Sequence, residues 1–335
     1  MQKTIKTIAS VSGVGIHTGV TTNMTLKPAE ANTGIKFIRV DLSERNVIKA
    51  DVDNVFSTER STGLKNKKVE INTVEHILAA VVGAKIDNLI IEVDNIEIPI
   101  LDGSSKKFTE LIKQAGTIEL NAKRNFFEIK RKITLTDEES GTILTATPAS
   151  EYAMEVKIDY NSEILGIQNA AISSIKEFNS EISSSRTFCF LHELEILLAN
   201  NLIKGGDVNN AIVIVEGEIS EERLHKLANT FNKSDIKVGK GGILNNLKLR
   251  HENEPARHKL LDVIGDLALV GRPIKGHVLA ARPGHKGNVD FAKIIKAEIK
   301  KSLKQGPKVD LTKDPVFDIN DIEKLLPHRY PFLLI

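Results

Sequence analysis

The sequence has 335 residues, of which 41% are hydrophobic and 27% are charged, a composition typical of a soluble protein large enough for two domains. Its formal net charge of +2, its aromatic content of 4% and its lack of tryptophan argue against nucleic acid as a general partner. The single cysteine, Cys189, excludes an internal disulfide and a multi-cysteine zinc finger.

Nothing in the sequence indicates export or membrane insertion. No apolar run reaches the roughly 18 residues that cross a bilayer, so no membrane span is expected. The first residues lack the apolar core and cleavage site of a signal peptide. A cytoplasmic location is therefore the default expectation.

The first half of the chain predicts strands, followed by helix, strand and helix. Stretches of β-branched and alternating residues at 10–16 and 34–40 are bounded by turn residues and favour β-strands. After residue 73 the apolar period becomes helical. The residues that repeat at this spacing are Val74, Ile77, Leu78 and Val81. A strand is predicted at residues 88–93, and residues 102–105 are expected to cap a second helix.

The second half, from about residue 126, repeats this order of elements. The predicted strands cover residues 127–133, 141–145, 153–158 and 276–281, and the predicted helices cover about 256–270 and 288–302. If the halves are structural duplicates, their first helices occupy corresponding places. The predicted fold class is therefore α+β, with two similar domains that each layer helices on a β-sheet around a central cleft.

Residues suited to metal binding lie on the first helix of each half. His258 and Asp262 are four residues apart, so a helix directs both side chains to one side. His76 would supply a third ligand and leave one coordination position open, as in catalytic zinc sites.

Each of these segments also has a purely structural interpretation. Glu75 can close a capping box with Asn72 at the start of a helix. His258 and Asp262 can form a solvated pair on a helix surface. The joint occurrence of the two segments favours the metal site over both alternatives.

A third amphipathic segment covers residues 186–199. Its apolar stripe is wider than one helix face needs. The stripe consists of Phe188, Phe190, Leu191, Leu194, Leu197 and Leu198. It either packs into a core or forms the wall of a passage for an apolar substrate chain.

Six motifs in order along the chain resemble those of UDP-3-O-acyl-N-acetylglucosamine deacetylases. They lie at residues 13–19 (Gly-Val-Gly-Ile-His-Thr-Gly), 72–76 (Asn-Thr-Val-Glu-His), 87–92, 97–104, 185–188 and 257–262 (Arg-His-Lys-Leu-Leu-Asp). The resemblance runs from about residue 5 to residue 302. It implies a zinc enzyme of lipid A synthesis that is built from two domains, each layering helices on a sheet, and that acts on a UDP-activated acylated glucosamine.

The resemblance also implies roles for individual residues at the metal. By position, His76, His258 and Asp262 match the ligands of Zn²⁺, in agreement with the helical spacing. Glu75 matches the general base that takes a proton from water. As the neighbour of a ligand in the sequence, its carboxylate is expected close to the metal.

Three further residues match catalytic positions of the family. His285 resembles the cationic histidine that stabilises the oxyanion and protonates the leaving amine. Asp266, one helical turn after Asp262, is expected to orient that imidazole. Without the resemblance, Asp266 would be interpreted as a solvated helix carboxylate. Thr187 matches the hydroxyl that helps to polarise the amide carbonyl.

Substrate contacts are implied in the same way. The matching positions are Lys259, Phe188, Leu191, Leu194 and Leu198. The resemblance makes the segment at about 186–206 an insert that forms the acyl passage, which favours the passage interpretation of the apolar stripe. His17 lies in a Gly-rich turn, where we expect it to hydrogen-bond with backbone and to have no direct catalytic role.

Two segments depart from the deacetylase pattern. Residues 219–253 are Lys- and Gly-rich and longer than expected, which predicts an extra surface segment. Residues 318–335 resemble the opening of 3-hydroxyacyl-acyl carrier protein dehydratases, so His328 is not a catalytic candidate. We therefore expect a deacetylase–dehydratase fusion truncated at the start of its second enzyme, whose missing domain would offer a route to oligomerisation.

The expected organisation is two deacetylase domains at residues 1–125 and 126–310, followed by a linker and dehydratase-like start at 311–335.

Two other functions remain open. The first is a zinc amidohydrolase that acts on another acylated sugar or a peptide. The second is a lipid-precursor binding module with a structural ion, which is less favoured because structural zinc sites have four protein ligands. The same ligand set also accepts iron or cobalt.

Overall fold

The computed structural model describes residues 1–43, 46–67, 69–200, 202–207, 210–231, 233–239, 241–244 and 247–305. Strands of the first half are β1 (Lys3–Ile5), β2 (Ala9–Val14), β3 (Thr21–Pro28), β4 (Ile35–Arg39), β5 (Val47–Lys49), β6 (Val55–Ser57), β7 (Gly63–Asn66), β8 (Val69–Ile71), β9 (Leu89–Val93) and β10 (Thr117–Glu119). Its helices are α1 (Glu75–Gly83) and α2 (Lys106–Ala115).

Strands of the second half are β11 (Phe127–Glu128), β12 (Ile133–Asp137), β13 (Thr142–Thr147), β14 (Tyr152–Asp159), β15 (Ile167–Ile172), β16 (Phe188–Phe190), β17 (Ile212–Ile214) and β18 (Ile274–Ala281). Its helices are α3 (Leu191–Ala199), α4 (Glu221–Thr230), α5 (Glu254–Leu267) and α6 (His285–Gln305).

The main sheet of the first half has the strand order β2-β3-β9-β4-β5. Strand β9 runs parallel to β4, and the other neighbouring pairs are antiparallel. In β3 the alternate residues Thr22, Met24 and Leu26 are buried, as the two-residue period of a strand with one core face requires. Helix α1 precedes β9 in the chain, and α2 follows it.

The main sheet of the second half repeats this arrangement in the order β12-β13-β18-β14-β15. Strand β18 runs parallel to β14, and the other pairs along this order are antiparallel. Helix α5 precedes β18, and α6 follows it. Because strand order and strand direction coincide, the structure confirms the predicted α+β fold of two similar halves, in which α1 and α5 are equivalent.

Helices α1 and α5 pack against each other where the two halves meet. Gly265 of α5 makes the close approach possible, because a Cβ at this position would lie 2.1 Å from the carbonyl oxygen of Glu75. The apolar residues Leu260, Val263 and Ile264 of α5 are fully buried. Burying each such side chain contributes about 1.5–3 kcal/mol, which fixes α5 in the core.

Each half carries an insert between the first four strands of its main sheet and helix α1 or α5. In the first half the insert is the small sheet β6-β7-β8. In the second half it holds β16, α3, β17 and α4 and has a separate apolar core. The fully buried members of that core include Leu191, Leu194, Leu197, Leu227 and Leu244.

Several predicted elements differ from the structure. The strand predicted at 127–133 is two strands, because β11 pairs with β18 whereas β12 pairs with β13. The segment at 186–199 begins as β16, which pairs in parallel with β17, and only then becomes helical. Within the predicted surface segment at 219–253, α4 is anchored by two buried residues, Leu227 and Ala228.

No helix among the described residues is long and apolar enough to cross a membrane. The dehydratase-like segment at 318–335, including His328, lies outside the described residues.

Candidate metal centre and active site

The three predicted metal ligands form one buried cluster at the contact between α1 and α5. His76 is the second residue of α1, and His258 and Asp262 lie one turn apart on α5. One ligand atom from each residue lies within 4.8 Å of the others. His76 Nε2 is 3.7 Å and His258 Nε2 is 3.3 Å from Asp262 Oδ1. Each side chain is at most 4% exposed, so the interpretation as a solvated surface pair is wrong.

The donor atoms in this cluster fit a divalent metal. Asp262 Oδ1 is buried and has no hydrogen-bond partner among the described residues, while Oδ2 accepts from Lys259 Nζ at 3.0 Å. His258 Nδ1 donates to the Ser185 carbonyl oxygen at 3.1 Å, which leaves the lone pair of Nε2 directed at the cluster. Two imidazole nitrogens and one carboxylate oxygen are a ligand set that zinc accepts.

The protonation states of the ligands also suit a metal, which requires deprotonated donors. Burial lowers the pKa of His76 to about 3 and also lowers the pKa of His258, so both imidazoles are neutral. Burial opposes ionisation of Asp262, but the electrostatic interactions of its carboxylate with His258 and with the charged Lys259 hold its pKa well below the usual range. The carboxylate is therefore ionised.

Glu75 is the first residue of α1 and points into the same site. Its Oε2 accepts a hydrogen bond from the Thr62 backbone N–H at 3.0 Å. The residue before the helix, Val74, is its N-cap, and no side-chain cap bond is found there within the described residues, so the capping-box interpretation is wrong. Burial raises the pKa of Glu75 to about 7, which suits a group that must gain and lose a proton near neutrality.

His285 begins α6 and forms an ion pair with a carboxylate of α5. Its Nδ1 donates to Asp266 Oδ2 at 2.9 Å. Asp266 is fully buried and also accepts from Thr62 Oγ1 at 2.6 Å and from Asn288 Nδ2 at 2.9 Å. It is therefore not a solvated helix carboxylate. Burial alone would lower the pKa of His285, but Asp266 raises it to about 9 and keeps the imidazole cationic at neutral pH.

These groups face one cavity of about 820 Å³. The candidate catalytic and metal-binding residues on its wall are Glu75, His76, Thr187, His258, Asp262 and His285. Thr187 is fixed by its backbone, which donates to Gly103 O at 2.8 Å and accepts from Ile212 N at 2.8 Å. The structure thus assembles residues from α1, α5, α6 and the second insert around one volume.

One side of the cavity is apolar and is formed by the second insert. Its wall includes Phe188, Phe190, Leu194, Leu197, Val213 and Phe231. Lys259 also lines the cavity, and its Nζ lies 5.6 Å from the centroid of the Phe188 ring. The leucines of α3 all pack in the insert's own core, and Leu194 and Leu197 also line the cavity, whereas Leu191 and Leu198 do not.

The relation to known proteins agrees with this geometry. The model of a family described as UDP-3-O-acyl N-acetylglycosamine deacetylase matches residues 2–233 and 230–297. The chain belongs to this deacetylase family. A "Bifunctional enzyme LpxC/FabZ" of Porphyromonas gingivalis is 42% identical to it over 334 residues, which cover 100% of this chain and 72% of that relative.

Two other relatives extend the comparison of this deacetylase-family chain. A "Bifunctional enzyme LpxC/FabZ" of Bacteroides thetaiotaomicron is 44% identical, again over 100% of this chain and 72% of the relative. A UDP-3-O-acyl-N-acetylglucosamine deacetylase of Chlamydia pneumoniae is 39% identical over 297 residues, which cover 88% of this chain and 96% of the relative. The predicted resemblance to the deacetylases, and to deacetylase–dehydratase fusions, is confirmed.

Two residues at the site of this deacetylase-family member were not predicted from the sequence. Thr62 contacts both Glu75 and Asp266, although nothing in its local sequence marks it. Glu97 is fully buried and accepts from the His17 backbone N–H at 3.0 Å and from Thr73 Oγ1 at 3.0 Å. It holds the Gly-rich turn at the cavity wall. Glu97 is the first residue of the family motif at 97–104, and this position could have marked it as a candidate.

Proposed function

We propose that this chain hydrolyses the N-acetyl group of UDP-3-O-(3-hydroxyacyl)-N-acetylglucosamine, giving acetate and the free amine, as the committed step of lipid A biosynthesis. The observation that carries this proposal is the buried His76–His258–Asp262 cluster, which shares one cavity with Glu75 and His285. Relatives that are named UDP-3-O-acyl-N-acetylglucosamine deacetylases support the same substrate class.

The cofactor of the proposed reaction is Zn²⁺, held by His76, His258 and Asp262. Bound zinc supplies Lewis-acid chemistry, which polarises an amide carbonyl and makes water more acidic. Three protein ligands are the usual number for a catalytic zinc, whereas a structural zinc has four. The ligand count therefore favours hydrolysis over the alternative of a lipid-precursor binding module.

Glu75 is the proposed general base. It accepts a proton from the attacking water, and the raised pKa of about 7 that burial gives it allows the carboxyl to return that proton later. The hydrogen bond from the Thr62 N–H favours the ionised form and fixes the direction of Oε2.

His285 is the proposed cationic partner on the opposite side of the reaction. As an imidazolium it stabilises negative charge on the former carbonyl oxygen and then gives a proton to the leaving nitrogen. Asp266 keeps the ring charged and fixes Nδ1, which leaves Nε2 for the substrate. The Thr187 hydroxyl is proposed as a second donor to the carbonyl oxygen.

The substrate would fill the cavity with its acyl chain and its diphosphate at different walls. Phe188 and Leu194 offer the apolar surface that an acyl chain requires. The cations Arg282 and Lys286 also line the cavity and suit a diphosphate, while Lys259 lies beside Phe188 and is proposed as a further substrate contact. We also propose that the two deacetylase domains meet near residue 125, between β10 and β11.

An acetate-release assay on the purified protein tests this function. The acylated UDP-sugar is compared with the same acylated sugar without UDP, each with and without a chelator, and bound metal is measured in the sample. Chelator-sensitive acetate release that requires UDP is the expected result. Equal release without UDP would favour the alternative amidohydrolase, and binding without release would favour the binding module. Metal analysis also decides between zinc and iron or cobalt.

A further inference from the structure

Thr62 joins the two halves of the active site through three of its own atoms. It lies just before β7 in the first insert and is fully buried. Its carbonyl oxygen accepts from Val74 N at 3.2 Å, directly before α1. Its N–H donates to Glu75 Oε2 at 3.0 Å. The backbone of Thr62 thus fixes both the start of α1 and the carboxylate of the proposed base.

The side chain of Thr62 reaches the other half of the protein. Its hydroxyl donates to Asp266 Oδ1 at 2.6 Å, on a residue 204 positions away in the sequence. Asp266 Oδ2 accepts from His285 Nδ1 at 2.9 Å and from Asn288 Nδ2 at 2.9 Å. The Thr62 hydroxyl oxygen lies 3.4 Å from His285 Nδ1. Thr62 therefore contacts both Asp266, which orients the His285 imidazole, and Glu75, the proposed base.

A base and an acid that act on one substrate must keep a fixed separation, because a misplacement of about 1 Å costs on the order of 100-fold in rate. Glu75 and Asp266 lie on helices from different halves, so the separation of their carboxylates depends on how α1 and α5 pack. A residue bonded to both carboxylates adds a direct constraint on that separation. A threonine is well suited, because its N–H and its hydroxyl leave the same residue in different directions.

We propose that Thr62 is a positioning residue, which holds the Glu75 carboxylate and the Asp266–His285 pair in register across the boundary between the two halves. This inference rests on the proposed function in one respect: the register matters for turnover only if Glu75 and His285 act on the same substrate.

The first test compares hydroxyl and non-hydroxyl variants. Thr62→Val keeps the shape and the backbone N–H but removes the hydroxyl. It is expected to lower kcat about 10- to 100-fold with KM within about twofold of the wild type. Thr62→Ser and Thr62→Ala both lack the methyl group and differ by the hydroxyl alone, so Ser is expected to keep kcat at least about tenfold above Ala. If Thr62→Val does not fold, the comparison of Thr62→Ser with Thr62→Ala still tests the role of the hydroxyl.

Thr22→Val is the matched control. Thr22 is also fully buried, and its hydroxyl has no hydrogen-bond partner in the part of the chain that the structure describes. This variant is expected to keep kcat. Equal kcat values for the Ser and Ala variants of Thr62, or a Thr62→Val variant that turns over like the wild type, would overturn the proposal.

A double-mutant cycle shows whether Thr62 acts through the imidazole. In a His285→Ala background, Thr62→Val is expected to lower kcat by less than about threefold, because the group that it positions is gone. The same fold loss in both backgrounds would contradict positioning through His285.

A spectroscopic readout separates this inference from the proposed function. In metal-free protein, ¹⁵N NMR of the His285 ring is expected to show a shifted Nδ1 resonance in Thr62→Val and an unchanged one in Thr22→Val. An unchanged resonance in Thr62→Val would overturn the Thr62–Asp266–His285 link. Failure of the wild type to release acetate would instead overturn the proposed function and leave this NMR result intact.

Discussion

Gly265 of α5 lies directly against the backbone of Glu75, and a Cβ at Gly265 would come within 2.1 Å of the Glu75 carbonyl oxygen. Glu75, the proposed base and first residue of α1, is therefore packed directly against α5, which carries two of the proposed metal ligands. Because the contact is with backbone, a larger residue cannot be accommodated by a change of rotamer.

Gly265→Ala is expected to separate α1 from α5. We expect a loss of about 1–3 kcal/mol in the free energy of unfolding, as in overpacked cores, together with a fall in kcat of at least about tenfold. Denaturant unfolding and acetate release measure the two effects. The helix propensity of alanine acts in the opposite direction by about 1 kcal/mol, so a variant with unchanged stability and unchanged kcat would show that the close approach is unimportant.

Replacement of the proposed base should separate metal binding from turnover. Glu75→Gln keeps the size of the side chain and is expected to retain bound zinc, while kcat falls by at least about 100-fold. His76→Ala is expected to lose the metal itself. Metal content per chain and acetate release are measured on the same samples. Glu110→Gln is the control. Glu110 forms an ion pair with Lys107 on the surface of α2, so its replacement should change neither metal content nor acetate release.

The pKa values of the proposed base and acid, both raised from their usual values, predict a bell-shaped pH dependence. Burial raises the pKa of Glu75 to about 7, so kcat/KM is expected to rise as pH passes through that value and the base ionises. Burial opposes the charge of His285, but Asp266 raises its pKa to about 9, so kcat/KM should fall as pH passes through about 9. A divalent cation held by the three ligands would move the rise in kcat/KM to lower pH, because its positive charge favours the ionised carboxylate.

The two limbs can be assigned with single variants. His285→Asn should abolish the fall at high pH in whatever activity remains, and Glu75→Gln should abolish the rise at low pH. If each variant kept both the rise and the fall in kcat/KM, groups other than Glu75 and His285 would be responsible for the pH dependence. Kinetic measurements from about pH 5 to about pH 10 cover both limbs.

The metal cluster could be predicted because its signals are local. His258 and Asp262 share a helix face through their spacing, and His76 lies at the start of the equivalent helix in a repeated order of elements. The repeat itself was visible as a change between two-residue and helical periods, and the strand order then fixed which helices are equivalent.

Contacts that depend on the meeting of distant segments could not be predicted. Thr62 bonds to Glu75 across 13 positions and to Asp266 across 204 positions, and a threonine before a short strand carries no pattern that indicates either bond. The division of residues 127–133 into two strands likewise depends on which partners the strands find. Periodicity also fails on α3, where Leu191 and Leu194 pack in the same core at 4% exposure, yet Leu194 also lines the cavity and Leu191 does not.

The apolar wall of the cavity predicts control of acyl-chain length by α3. Leu194 lines the cavity, so Leu194→Phe should narrow the proposed passage and raise KM for a long acyl chain about tenfold, with a smaller effect on a short one. Ile196 on the same helix is 58% exposed, and Ile196→Phe provides the matched control with unchanged preference. KM values for a series of acyl lengths measure the effect. If both variants shifted the preference equally, α3 would act through its overall packing and not through the side chain at the wall.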